Sequence, residues 1–167
     1  MSYDLVDKII MKSNLKSGGA YTSIGTYDAN EFLRLISSLS EETKQPANEI
    51  LIAYGVHLFK IFSLKYPQFF TRKTSVFEFL ANVEPCIHME VKKFYIDADL
   101  PHFQSTALSP DKFVMLYTSS RPLADLAEGL IKGCIDYHQE NIEVRREDIP
   151  VNKGAKAKFT LTKRTST

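Results

Sequence analysis

Tyr117, Ser119 and Arg121 stand two apart at the end of a short run that begins with the apolar residues Phe113-Val114-Met115-Leu116. Side chains of a strand alternate between faces, so these three are expected to point the same way. They offer a phenol, a hydroxyl and a guanidinium fork, all hydrogen-bond donors. An arginine fork is the side chain best shaped to grip a carboxylate or phosphate at two points. Together the three make a clamp for a ligand with several anionic oxygens. Upstream lies His88, on a largely apolar helical stretch with Ile87, Val91, Phe94 and Tyr95 near one face. Imidazole is a common axial ligand of haem iron. A histidine facing an apolar pocket, plus a separate donor clamp, matches what haem needs: one nitrogen for iron and anchors for two propionates.

Each feature also has a plain structural reading. A lone histidine on an apolar helix face is most often a packed core residue. A tyrosine, serine and arginine at a strand end are most often a half-buried ring, a turn hydroxyl and a solvated cation. His57, His102 and His138 read as surface or supporting residues. The two cysteines, Cys86 and Cys134, form neither a CxxC pair nor a zinc spacing, so free thiols are expected. Cys86 reads as a small core filler, and as a thiolate ligand only second. Without a CxxCH site, any haem is expected to be non-covalent. No GxGxxG, P-loop, HExxH or GxSxG motif is present. Asp97 and Asp99 do not complete a calcium loop.

Composition narrows the classes. A chain of 167 residues with 44% apolar content reads as one domain, 1–167, with a real core. A formal charge of +1 gives no electrostatic reason to expect nucleic acid or an anionic membrane. No uninterrupted apolar stretch reads as a membrane span, and the first residues lack a secretory pattern. A cytoplasmic location is therefore expected.

The elements that must position these residues come in a clear order. Residues 3–12 read as a short helix broken by Ser17-Gly18-Gly19. Asp28, with Glu31 in capping-box position, opens a second helix. Gln45-Pro46 opens a long one that is expected to bury Ile50, Leu51, Tyr54, Leu58, Ile61 and Phe62 and to end near Tyr66-Pro67. The segment Thr71-Arg72-Lys73-Thr74 is a basic loop. After Val76–Val83, Pro85 is expected to kink or restart a helix that reaches Tyr95. Strands are expected at 103–108 and 112–118, then a helix from Pro122 with Leu123, Leu126, Ala127, Leu130, Ile131 and Cys134 on one stripe. The segments 141–146 and 156–162 alternate like paired strands. Arg145-Arg146 reads as a solvated basic pair. The fold class is α+β: a helical N-terminal lobe, then a lobe with an antiparallel sheet and a long helix.

In this order of features the chain resembles the H-NOX family, the haem–nitric oxide/oxygen binding domain of bacterial sensors and soluble guanylate cyclase. That family carries a proximal histidine followed by Tyr-x-Ser-x-Arg, matched here by His88 and Tyr117/Ser119/Arg121. The stretch from His88 to Tyr95, the turn Leu100-Pro101-His102-Phe103 and the helix after Arg121 are similar too. So are Gly19-Ala20-Tyr21-Thr22-Ser23 and Tyr54-Gly55. The resemblance implies haem b held between the two lobes. His88 would ligate iron, and Tyr117, Ser119 and Arg121 would hold the propionates. Pro101 would press on the porphyrin, and Leu130 would line the pocket. Oxygen-holding relatives place a distal tyrosine where this chain has Leu126, and a polar residue where it has Leu58. Apolar residues there predict NO and CO binding with poor O₂ retention.

Relatives start with a further helix over the distal haem face, so about 30 Å of helix is expected to be missing at the N-terminus. The resemblance further implies a stand-alone regulatory protein without zinc, not an enzyme. It would signal to a separate histidine kinase or cyclic-di-GMP enzyme. Two rival readings are a haem-free interaction module on the same fold and a carrier of apolar small molecules.

Overall fold

The computed structural model describes residues 3–22, 25–70 and 74–164. The basic loop expected at 71–74 falls outside these except for Thr74, as do Ser23 and the side chain of Phe94. The chain groups into two compact units, Met1–Leu51 and Ile52–Thr167.

The first unit holds α1 (Tyr3–Ser13) and α2 (Ala29–Thr43). The two helices pair antiparallel. Ser13 Oγ meets Ser38 Oγ at 2.8 Å, and one turn earlier on α1 Lys8 Nζ meets Glu42, one turn later on α2, at 2.5 Å. Asp28 caps α2 as expected, accepting from the Asn30 amide. Glu31 does not complete a capping box. Its carboxylate accepts from Ser17 and from the Tyr21 phenol instead, so it fastens the preceding loop.

The helix α3 (Ala47–Lys65) runs across the boundary between the units. Its buried positions are Leu51, Gly55 and Phe59. The expected stripe of Ile50, Tyr54, Leu58, Ile61 and Phe62 is only half-buried or exposed. The helix is apolar nearly all round, so periodicity could not select its inward face. Packing selects it. A β-carbon on Gly129 of the facing helix would lie 2.2 Å from the Ile52 carbonyl oxygen. Only a glycine permits this approach. By length and composition alone α3 is long and apolar enough to cross a membrane, although Asn48, Glu49, His57 and Lys60 interrupt its apolar run.

The rest of the second unit follows in order. The helix α4 spans Val76–Ala81, a π-helix Val83–His88, and α5 Met89–Phe94. The strands β1 (His102–Ser109) and β2 (Lys112–Ser119) precede α6 (Ala124–His138), and β3 (Ile142–Ile149) and β4 (Ala155–Lys163) follow it. All pairings are antiparallel, in the order β1-β2-β4-β3. One face of the central strands is buried: Phe113, Met115 and Tyr117 of β2, and Ala157, Phe159 and Leu161 of β4. The alternation is that of a sheet with one covered side. Ala127, Ile131, Cys134 and Ile135 of α6 join the same core. The architecture is thus the expected α+β arrangement.

Arg146 corrects the reading of a solvated basic pair. Its guanidinium bonds Asp125 at 2.6 Å, Asp148 at 2.6 Å and Glu128 at 3.4 Å. This network ties β3 to α6 and secures the helix that follows the clamp.

Candidate functional site

A cavity of about 330 Å³ lies within the second unit, in the ordinary size range of ligand pockets. Phe59 and Phe62 of α3, Phe79 and Leu80 of α4, and Leu126 and Leu130 of α6 give it apolar walls. The polar side chains on its lining are His88, Asp99, Tyr117, Ser119 and Arg121. They form two groups, the histidine on a helical wall and the clamp on the sheet.

The clamp is built from the end of β2. Tyr117 pairs with Phe103 on β1 and with Ala157 on β4, so a strand holds it on each side. Its ring is 2% exposed and sits 5.5 Å from that of Phe103. Burial pushes its phenol above the ordinary value, against the opposing pull of the Ser119 hydroxyl and the Arg146 and Arg121 guanidiniums. The phenol therefore stays a neutral donor. Beyond the strand, the Arg121 amide donates to Ser119 Oγ at 3.1 Å. This turn brings the arginine back beside the serine. The Arg121 guanidinium lies 3.7 Å from Asp99, whose carboxylate also accepts from Ser120 Oγ. Gly154, at φ +79°, backs onto this turn. A β-carbon there would lie 2.0 Å from the Ser119 carbonyl oxygen.

His88 closes the π-helix. Pro85 has no amide hydrogen to continue a regular ladder, so the expected kink takes the form of a widened turn. The imidazole is 15% exposed. Its Nδ1 lies 3.0 Å from Glu84 Oε2, and its ring stands 5.7 Å from that of Phe103. Glu84 also accepts from the Phe103 amide at 3.2 Å and from His102 Nδ1 at 3.1 Å. Burial pushes the Glu84 carboxyl up, but the bonds from His102, His88 and Phe103 outweigh it and hold the group below the usual range.

Of the residues singled out in the sequence, His88, Pro101, Tyr117, Ser119, Arg121, Leu126 and Leu130 all line this cavity. Leu58 does not; it is half-buried on α3, whose lining residues are Phe59 and Phe62. Cys86 is exposed, so it fills no core, and its thiol faces Asn82 Oδ1 at 3.6 Å. No motif singles out Glu84, although it stands four residues before His88, the spacing at which helical side chains meet. Asp99, which reads in the sequence as half of an incomplete calcium loop, faces the clamp arginine.

This donor set suits haem. Glu84 engages Nδ1 of His88, so Nε2 is the ring nitrogen that could take a metal. Apolar walls suit a macrocycle, and three donors stand ready for carboxylates. A sequence profile described as Haem-NO-binding matches residues 1–146. The chain belongs to the H-NOX family. Domains of this family are haem-based gas sensors. No curated protein matches the chain. Among solved structures, it is similar to the Fe(II) unliganded H-NOX protein of K. algicida, at 35% identity and a TM-score of 0.89, covering 98% of this chain and 88% of that one. The H-NOX of Shewanella woodyi, solved in its Fe(II)CO state with IWP-051 bound, is 32% identical with a TM-score of 0.81, covering 98% and 86%. A mutant of T. tengcongensis H-NOX, at 24% identity and a TM-score of 0.86 over 97% and 88%, shares the fold.

Proposed function

We propose that this protein is a nitric oxide sensor that binds haem b non-covalently and signals to a separate partner. The observation that carries the reading is one cavity lined by both His88 and the Tyr117/Ser119/Arg121 clamp. When bound, the haem supplies a ferrous iron that takes up a diatomic gas. His88 gives its Nε2 to that iron. Tyr117, Ser119 and Arg121 hold the propionates through charge-assisted bonds, and Pro101 presses on the ring.

The choice of gas follows from the walls. Bound O₂ is polar and gains from a hydrogen-bond donor, whereas NO and CO bind ferrous haem without one. Among the described residues, every polar side chain on the lining belongs to the histidine wall or to the clamp and its Asp99 neighbour. Leu126 offers no donor. NO and CO are therefore favoured over O₂.

Signalling uses the histidine wall. Bound haem would put the gas opposite His88, and loss of the hold on His88 would free the short turn that carries it to shift. A partner that binds one state better reads the change, to the extent of its differential affinity. By family, that partner is a histidine kinase or a cyclic-di-GMP enzyme in the cytoplasm of a bacterium, and the protein is a regulator rather than an enzyme.

The test is to load the reduced protein with haem and expose it in turn to NO, CO and air. Stable NO and CO complexes with rapid oxidation in air are expected. A ferrous-oxy complex that persists in air would overturn the gas assignment. A cavity that retains extractable lipid and no haem would favour the apolar-carrier reading.

A further inference from the structure

We propose that Glu84 is the positioning residue of His88: it fixes which ring nitrogen faces the cavity and fastens the ligand turn to the sheet. This rests on His88 being the iron ligand.

The geometry is unusual for a glutamate near the surface. One carboxylate takes three donors from two elements. Oε2 lies 3.0 Å from His88 Nδ1 and accepts the Phe103 amide at 3.2 Å, while Oε1 meets His102 Nδ1 at 3.1 Å. A carboxylate at neutral pH has only lone pairs to offer. His88 Nδ1 must therefore carry the hydrogen, and in the neutral ring Nε2 presents its lone pair. That is the tautomer an iron ligand needs. A free neutral imidazole has no such restriction.

Two consequences follow. A carboxylate behind a metal-bound imidazole raises the basicity of the ligand and fixes the ring plane. With haem bound, Glu84 would thus strengthen the hold of His88 on iron and set how readily that hold is lost. The bond to the Phe103 amide reaches into β1, which pairs with the clamp strand, Phe103 opposite Tyr117. Movement of His88 therefore pulls on the strand beside the clamp through one side chain. His102 is the outermost of the three donors, with its side chain 68% exposed.

The experiment compares wild type with Glu84→Gln, Glu84→Ala and His102→Ala. In the haem-free protein, nitrogen NMR of the His88 ring reports the tautomer directly. In the ferrous haem-loaded protein, resonance Raman reports the Fe–His stretching band, and transfer to apomyoglobin reports haem affinity. The expected result is Nδ1–H in wild type, in His102→Ala and in Glu84→Gln, whose amide oxygen still accepts. Glu84→Ala mixes the tautomers. The Fe–His band falls from wild type to Gln to Ala, and haem affinity falls about 10- to 100-fold in Ala. A residue that merely held the fold would leave the band in place once melting showed the variant folded. An unchanged band in a folded Glu84→Ala, or an Nε2–H tautomer in wild type, overturns the proposal while the haem reading stands. A wild type with no Fe–His band at all overturns the assignment of His88 as ligand, and the role of Glu84 with it.

Discussion

The two walls that carry the polar groups of the cavity are built in opposite ways. The clamp wall is the inner face of a central strand, with β1 on one side and β4 on the other. Its tyrosine is fully buried, and Arg146 braces the helix that follows. The histidine wall is a six-residue π turn between two short helices. It is half-exposed; Val83 and Ile87 pack it on the core, and the Glu84 carboxylate ties it to the sheet. A sheet interior resists displacement, because every backbone group is paired and the side chains are packed at crystal-like density. A widened turn with polar tethers gives way at much lower cost. The difference suits the proposed sensor, in which one wall would hold the cofactor still and the other would move.

The largest effect is expected at the histidine wall. His88→Ala removes the cavity-lining imidazole proposed to ligate iron. The His-ligated ferrous absorption band should vanish, and added imidazole should restore it, because the clamp still holds the porphyrin. A variant whose spectrum is unchanged would mean that another residue ligates iron.

Next comes the rigidity of the sheet. Phe159 is completely buried on β4, opposite Met115. Phe159→Ala should cost about 3–5 kcal/mol of folding stability through lost burial and the cavity left behind. Chemical denaturation measures this. A loss below about 1 kcal/mol would show that the clamp wall is not the rigid side.

Arg121→Met should leave folding nearly unchanged, since the guanidinium is partly exposed and its pair with Asp99 is loose. It removes a charge-assisted bond to a propionate, which is worth about 1.5–3 kcal/mol. Haem affinity should therefore fall by roughly 10- to 100-fold while the Fe–His band stays put. A shifted band with unchanged affinity would place the arginine in the wrong role.

The smallest effect is a pH dependence of the clamp wall. Burial raises the Tyr117 phenol above its ordinary value of 10.0. The unfolded chain releases that proton first as pH rises. The stability from the neutral phenol is thus present below about pH 10 and declines as pH climbs toward the folded value. Denaturation midpoints between about pH 9 and 11 should drop more in wild type than in Tyr117→Phe. Equal slopes would mean that the phenol is not held neutral.

The clamp was legible in the sequence because strand alternation is strict: once Phe113–Leu116 is a strand, the facing of Tyr117 and Ser119 follows. His88 was legible as a candidate, and the resemblance supplied its context. The face of α3 was not legible. Apolar residues surround that helix, and the close approach to Gly129, a tertiary fact, chose Gly55 and Phe59 over the stripe containing Leu58. Glu31 shows the same limit on a smaller scale. Its spacing from Asp28 fits a capping box, but the loop at Ser17 and Tyr21 competed for the carboxylate and won. Glu84 was hidden for a different reason: a carboxylate gains its role from donors eighteen and nineteen residues away, which no local pattern reveals.

The central claim is that NO binding is read out by release of His88. The most direct measurement is the absorption spectrum of the reduced, haem-loaded protein before and after NO, with His88→Ala plus imidazole alongside. The account predicts a His-ligated ferrous band that moves, on NO addition, to that of a five-coordinate nitrosyl haem. A nitrosyl band that stays six-coordinate, or no band beyond that of free haem before NO is added, would contradict it.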